Sequence, residues 1–258
     1  MKDTKTQVPV LVAHRGYPSR FPENTLEGIT AALEAGACMV EFDVQLSADG
    51  IPIVIHDQDL RRTAGVDLCV FDTGIAGLKR ASVGEPVRFG DAFSNVLIPT
   101  LGEVVALLQR WPGTEVFVEI KRTSLRRFGW PAVLKPVLNA LRPLLDRCIL
   151  VSFDSEVLAG VKDSGECHIG WVVDTFSDQN YEIAARLTPD FLFCKIDLVP
   201  ASPQSLWPGR WKWVVYEIND PQLALDLAKR GIGFIETGAI GEMLQHRVLK
   251  QKACHRDG

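Results

Sequence analysis

Short apolar runs alternate with amphipathic stretches along nearly the whole chain. Strand candidates fall at 8–13, 39–44, 51–55, 115–120, 148–152, 168–173, 191–195, 213–216 and 234–236, the second and third readable as one bent strand or two. Several are near-continuous apolar runs, the pattern of parallel strands buried on both faces. Helices fit between them. Asn24-Thr25-Leu26-Glu27 opens one, with Asn24 as the capping residue, and Gly36 sits where it should stop. Thr100-Leu101-Gly102-Glu103 repeats the capping signal, and Asp220-Pro221 opens a helix that Gly231 closes. Other helices are expected near 131–146, 155–163 and 178–187.

This alternation predicts an α/β fold, an eight-stranded (β/α) TIM-type barrel in one domain over 1–258, with a doubly wound sheet as the main competitor. No GxGxxG or GxxxxGK[ST] follows any strand, so neither dinucleotide nor P-loop binding is signalled. The turn-rich stretch 58–99 reads as an insertion after the second strand unit. It is expected to hold a short helix near 74–79 and to overhang one rim.

Composition narrows the class. Of 258 residues, 47% are hydrophobic and 23% charged, enough apolar material for a folded core. A net charge of −4 without basic runs excludes a nucleic-acid binder. No secretory leader or uninterrupted apolar span is legible, so no stable membrane insertion and a cytoplasmic location are expected. Six scattered cysteines without CxxC spacing read as free thiols in a reducing compartment.

The chemistry collects where the first strands end. His14-Arg15-Gly16 follows the first, and Glu41 and Asp43 end the second, two residues apart and therefore on one side of it. His56-Asp57 follows the third candidate, and Glu119 and Lys121 end the next, again two apart. Adjacent inward carboxylates repel, and a hard divalent cation, Mg²⁺ or Ca²⁺, relieves this better than Zn²⁺. The alternative is a structural charge network in which Arg15 or Lys121 pairs with Glu41 or Asp43. His14 and His56 form a candidate acid/base pair, and Arg15 and Lys121 would attract an anion such as phosphate. Metal-assisted attack at phosphorus is the task this set suggests. His168 reads as core, and His246 and His255 as surface.

The runs His14-Arg15-Gly16, Pro22-Glu23-Asn24-Thr25, Val40-Glu41-Phe42-Asp43-Val44, His56-Asp57, Arg62-Thr63, Ile98-Pro99-Thr100-Leu101 and Val118-Glu119-Ile120-Lys121 resemble the glycerophosphodiester phosphodiesterase signature in order and spacing. The resemblance implies a barrel that hydrolyses a small-molecule glycerophosphodiester to glycerol 3-phosphate and an alcohol. By the same resemblance, Glu41, Asp43 and Glu119 would hold Mg²⁺ or Ca²⁺, His14 and His56 would exchange protons, and Arg15 and Lys121 would bind phosphate. The glycerol 2-hydroxyl is a plausible internal nucleophile in such a family. Glu23 would orient Arg15 or a histidine, and Asn24 would cap the first helix.

Near its end the chain departs from the family pattern, with Tyr216-Glu217-Ile218-Asn219 and Glu236-Thr237-Gly238. Glu217 or Glu236, beside Tyr216 or Trp213, would favour a cationic alcohol such as choline; bonding to loop backbone or to Lys195 is the competing reading. Two other functions compete. A lysophospholipid or phosphoinositide phosphodiesterase would need an apolar trough, for which Leu68, Val70, Phe71, Ile75 and Leu78 are candidates. An inert barrel binding a phosphorylated ligand would need no acid/base pair.

Overall fold

The apolar runs pair side by side as parallel strands in the computed structural model, which describes residues 8–201 and 206–252. These are β1 (Val10–His14), β2 (Met39–Leu46), β3 (Pro52–Val54), β4 (Glu115–Ile120), β5 (Cys148–Ser152), β6 (His168–Val172), β7 (Phe191–Lys195), β8 (Lys212–Tyr216) and β9 (Phe234–Thr237). All but β3 run parallel, in the order β1-β9-β8-β7-β6-β5-β4-β2, and pairing of β1 with β2 closes the ring. A closed (β/α) barrel results, as the alternation predicts. β3 is a separate strand, antiparallel to β2 with Val44 opposite Val54, so the 39–55 segment is a hairpin rather than one bent strand.

Alternation along each strand sorts side chains into two cores. Val12, Met39, Phe117, Ile149, Val151, Val172, Phe191, Phe193 and Val214 fill the barrel interior. The ring of Phe117 meets Phe191 and Phe193 edge-on, each at 5.0 Å between centroids. The intervening residues, among them Val40, Phe42, Val118, Ile120, Leu150 and Val215, face the surrounding helices. Each such side chain contributes roughly 1.5–3 kcal/mol on burial. On β2 all eight residues are buried, including Glu41 and Asp43, so the acidic pair is embedded in the packed part of the fold.

Helix starts follow local chemistry. Thr100 and Glu103 form the expected capping box, and Asp220 caps the helix Pro221–Lys229. The first helix, Leu26–Glu34, is capped by Thr25, whose hydroxyl accepts from Gly28 N at 3.0 Å; Asn24 is not the cap. Asn24 adopts a left-handed φ of 55°, which Asn tolerates, and its amide turns instead toward Asp43.

The 58–99 insertion carries three one-turn helices, Arg61–Ala64, Ile75–Leu78 and Pro86–Phe89. It also has a small core in which Val70 and Leu78 are fully buried and Phe71 is 8% exposed. These side chains therefore pack inward and present no open trough to a lipid. His168 is likewise not core: it begins β6 at the solvent-exposed rim and pairs with Asp190 at 2.9 Å. His246 is partly buried, whereas His255 lies outside the described residues. Cys69, Cys148, Cys167 and Cys194 are free, but Cys38 is disulfide-bonded, a departure from the expectation of free thiols. Cys254 lies outside the described residues. No described helix is long and apolar enough to cross a membrane.

Gly16 seats the turn after β1 against the first helix. Its φ is +85°, and an added Cβ would lie 2.7 Å from the Gly28 carbonyl carbon. Gly16→Ala is expected to cost about 2 kcal/mol or more from backbone strain and overpacking together. Urea denaturation reads this as a lower midpoint at unchanged slope.

Candidate active site

The closed ring brings the carboxyl ends of its strands to one rim, where a barrel presents its functional groups. A cavity of about 230 Å³ opens there, lined on one side by His14, Arg15, Glu41, His56, Glu119 and Lys121. Val151, Phe153, Val172, Phe193, Lys195, Tyr216, Glu217 and Glu236 line the remainder. Eight of the ten side chains singled out in the sequence therefore meet at this cavity. Asp43 and Glu23 stand behind it, bonded to residues that line it.

Glu41, Asp43 and Glu119 each offer a carboxylate oxygen within 4.8 Å of the other two. Oxygens on opposite sides of a Ca²⁺ ion are about 4.8 Å apart, so the spread suits one hard divalent cation. Glu41 Oε1, Asp43 Oδ1 and Glu119 Oε1 are buried and accept no well-formed hydrogen bond. The Lys121 ammonium comes close to the latter two, at 3.2 and 2.8 Å. Buried charges left this way need a counter-ion, and an oxygen-binding cation fits the donor set.

The electrostatics show the same demand. Burial, then Asp43 and Glu236, push the Glu41 carboxyl well above the usual range. Burial also raises Glu119, against the pull of Lys121. Asp43 goes the other way: burial would raise it, but Arg15 and Lys121 outweigh that and hold it well below the carboxylate range. Arg15 Nε lies 3.1 Å from Asp43 Oδ2, and Asn24 Nδ2 donates to the same oxygen at 2.8 Å. A charge network with Arg15 and Lys121 is thus real for Asp43. Glu41 instead accepts from the Arg15 backbone N–H at 3.0 Å, and His14 Nε2 approaches it at 3.8 Å. Burial and Arg15 hold the His14 imidazole neutral, its pKa down to about 3.

A second set of charges holds this arrangement from outside. Arg15 Nη1 donates to Glu23 at 3.2 Å, and Arg62 grips both Glu23 oxygens at 2.7 and 2.8 Å. Arg62 Nε donates to Asp57 Oδ2 at 2.8 Å, and Asp57 Oδ1 lies 2.7 Å from His56 Nδ1. The hydrogen bond to His56, ahead of an opposing burial effect and with Arg62, holds Asp57 ionised and therefore acceptor-only. Nδ1 of His56 must then carry a proton, leaving Nε2 as the nitrogen at which a proton can be exchanged. From the insertion, buried Glu85 accepts the Glu23 backbone N–H at 2.7 Å and pairs with Arg88 at 2.6 Å. Asp57 and Arg62 have a visible signal in their adjacency to His56 and in the motif; Glu85 has none.

On the far wall, Glu217 pairs with Lys195 at 3.1 Å, so its charge is matched by a neighbour. Tyr216 lines the cavity, its ring 6.3 Å from that of His14. Trp213 does not; it packs outside the barrel, stacked on Phe176 at 5.5 Å. Glu236 is only 3% exposed, and its Oε1 has no hydrogen-bond partner.

Two outcomes follow from these contacts. Asp57→Asn replaces an acceptor-only carboxylate with an amide that can turn either its oxygen or its NH₂ toward His56, so imidazole ¹⁵N shifts are expected to change from one Nδ1–H form to a tautomer mixture. For Glu23, burial raises the carboxyl but Arg62 and Arg15 outweigh it, and its net pKa is lowered. Its stabilisation is therefore full above about pH 4.3, the unfolded value, and is lost as pH falls through the lower folded value. Glu23→Gln is expected to cost about 2–3 kcal/mol at pH 7, a gap that urea titrations should show closing in more acidic solution.

Comparison with known proteins agrees with this geometry. The model of the glycerophosphoryl diester phosphodiesterase family matches residues 14–185. A glycerophosphodiester phosphodiesterase of Caldanaerobacter subterraneus is 34% identical over 158 residues, 59% of this chain and 61% of that protein. Human glycerophosphodiester phosphodiesterase 1 is 36% identical over 147 residues, 57% of this chain and 43% of that protein. The aligned region thus spans less than two thirds of the length of either relative. Among solved structures, an Oleispira antarctica phosphodiesterase in complex with the product sn-glycerol-3-phosphate superposes with a TM-score of 0.78. It is 25% identical, and the match covers 92% of this chain and 95% of that one. The Thermotoga maritima glycerophosphodiester phosphodiesterase gives 0.70 at 25% identity, covering 93% and 98%. With the matched segment running from His14 through the insertion and past Lys121, the chain belongs to the glycerophosphoryl diester phosphodiesterase family.

Proposed function

We propose that this protein hydrolyses glycerophosphodiesters to glycerol 3-phosphate and an alcohol, with His14 and His56 as its acid/base pair. The observation that carries the reading is the meeting of both histidines with the Glu41, Asp43 and Glu119 oxygens on one cavity. Glu41, Asp43 and Glu119 would hold Mg²⁺ or Ca²⁺, which supplies electrophilic stabilisation of charge on the phosphoryl oxygens.

The chain's own residues do the remainder. Arg15 and Lys121 place positive charge beside the carboxylates and receive the phosphodiester. His56, fixed through Nδ1 by Asp57, presents Nε2 for proton exchange. His14, partly buried at the end of β1, serves the other proton transfer. One histidine, as neutral imidazole, takes the proton of the attacking hydroxyl, and the other, entering the step as imidazolium, gives its extra proton to the departing alkoxide, so neither charge accumulates. The glycerol 2-hydroxyl fits the role of that nucleophile, with water opening the resulting cyclic phosphate.

The lysolipid alternative loses the trough named for it, because Val70, Phe71 and Leu78 are buried in the insertion's own core and Leu68 and Ile75 pack against it. A cationic headgroup finds Glu217 already paired with Lys195.

Purified protein incubated with glycerophosphocholine and Mg²⁺ or Ca²⁺ is expected to release glycerol 3-phosphate. Chelation should abolish release, and His14→Ala or His56→Ala should each lower kcat by about 10²–10⁴-fold. Asp43→Asn should weaken divalent-cation binding in calorimetry. No release from any glycerophosphodiester with any divalent ion would overturn the reading.

A further inference from the structure

Glu236 is a buried carboxyl with no place in the chemistry just described. It stands on β9, between β1, which ends in His14, and β8, which ends in Tyr216. Its pairing residue on β1 is Val12, so it projects below His14 on the same wall of the cavity. It is 3% exposed, and Oε1 accepts no hydrogen bond. Arg15 and Lys121, the partly buried cations beside the carboxylate cluster, are already engaged by Asp43, Glu23 and Glu119. A carboxyl lining a cavity under these conditions costs free energy unless something entering the cavity bonds to it.

Two kinds of ligand group suit such an oxygen, a metal ion and a hydroxyl. Glu236 does not join the group of acidic oxygens within 4.8 Å of one another that Glu41, Asp43 and Glu119 form, so it is not a natural ligand of the same cation. A hydroxyl both donates and accepts, and therefore suits a carboxyl in either protonation state. Val172 and Phe193 offer an apolar face elsewhere on the lining, and Tyr216 an aromatic one. A carboxyl for hydroxyls beside apolar surface for C–H groups is the complement of a short polyol.

We propose that Glu236 is a specificity-determining residue that binds the vicinal diol of the glycerol moiety. The assignment rests on the phosphodiesterase reading above for the identity of that diol. With phosphate drawn to Arg15, Lys121 and the carboxylate-bound cation, the attached glycerol extends along the cavity wall to Glu236. The carboxyl then selects glycerol esters over esters of shorter alcohols, because an alcohol lacking a hydroxyl leaves it unpaired.

Calorimetric titration of the Mg²⁺-loaded protein with sn-glycerol 3-phosphate and with 2-hydroxyethyl phosphate, which lacks the second hydroxyl, tests this. The wild type is expected to bind the glycerol compound about 10–100-fold more tightly, as one or two hydrogen bonds to a charged group imply. Glu236→Leu should bring the two affinities within about threefold mainly by weakening the glycerol compound, whereas Glu236→Gln, which keeps an acceptor oxygen, should retain part of the preference. Retained binding of 2-hydroxyethyl phosphate by Glu236→Leu reports an intact site; if that variant does not fold, the wild-type and Glu236→Gln comparisons decide. Equal binding of the two compounds by the wild type, or an unchanged preference in Glu236→Leu, would overturn the proposal. A parallel Mg²⁺ titration should find one ion per chain in wild type and variant; two in the wild type and one in the variant would make Glu236 a cation ligand instead. Turnover is read separately: absent glycerol 3-phosphate release with an intact binding preference would overturn the activity while leaving the diol contact standing.

Discussion

Two acidic side chains two residues apart on a fully buried strand set the terms for the mouth of this barrel. Glu41 and Asp43 point the same way from β2, and two charges so close in a low-dielectric surround repel strongly. The fold does not dilute that repulsion; it adds Glu119 from the neighbouring strand, opposite Asp43 in register. Asp43 has Oδ2 held by Arg15 and Asn24, whereas its Oδ1, like Glu41 Oε1 and Glu119 Oε1, accepts no well-formed hydrogen bond. The unequal treatment matters. One carboxylate is anchored through one oxygen as a fixed charge, and the cluster is left with unmet demand that a divalent cation would meet.

Arg15 shows how backbone and charge cooperate here. Its φ of 55° is left-handed, a conformation that costs a non-glycine residue roughly 1–2 kcal/mol. In that bend its amide N–H reaches Glu41 while its guanidinium reaches Asp43 and Glu23. A single residue therefore touches three carboxylates at once. Gly16, with its positive φ and its close approach to Gly28, allows the chain to leave the bend and enter the first helix.

Much of this was legible in the residues. Continuous apolar runs identified the strands, because a parallel strand buried on both faces has no polar side to show. Two-residue spacing placed Glu41 with Asp43 and Glu119 with Lys121, since side chains alternate along a strand. What escaped depended on contacts between distant segments. Asn24 carries a helix-capping signal, yet Asp43 claims its amide and Thr25, the next residue, caps the helix. His168 sits in an apolar run but at its outer end, where the strand meets solvent. The apolar residues of the insertion give no hint of direction, and only tertiary packing shows that they close on one another. Glu85, in a stretch of turn residues, has nothing local to mark it.

Glu85 also alters how the insertion is to be regarded. Through the Glu23 backbone it joins a chain of charged contacts running by way of Arg62 and Asp57 to His56. Loops on a barrel rim are usually the interchangeable part of the scaffold, free to vary while the strands beneath stay constant. Here the segment cannot be exchanged alone. A chimera that replaced 58–99 with a loop lacking an arginine at the Arg62 position and a carboxylate at the Glu85 position would leave Glu23 with a buried charge and His56 with a carboxylate no longer held in place. The transferable unit is the insertion together with the 14–24 turn, which makes these two segments, connections of consecutive strand units, a single structural module.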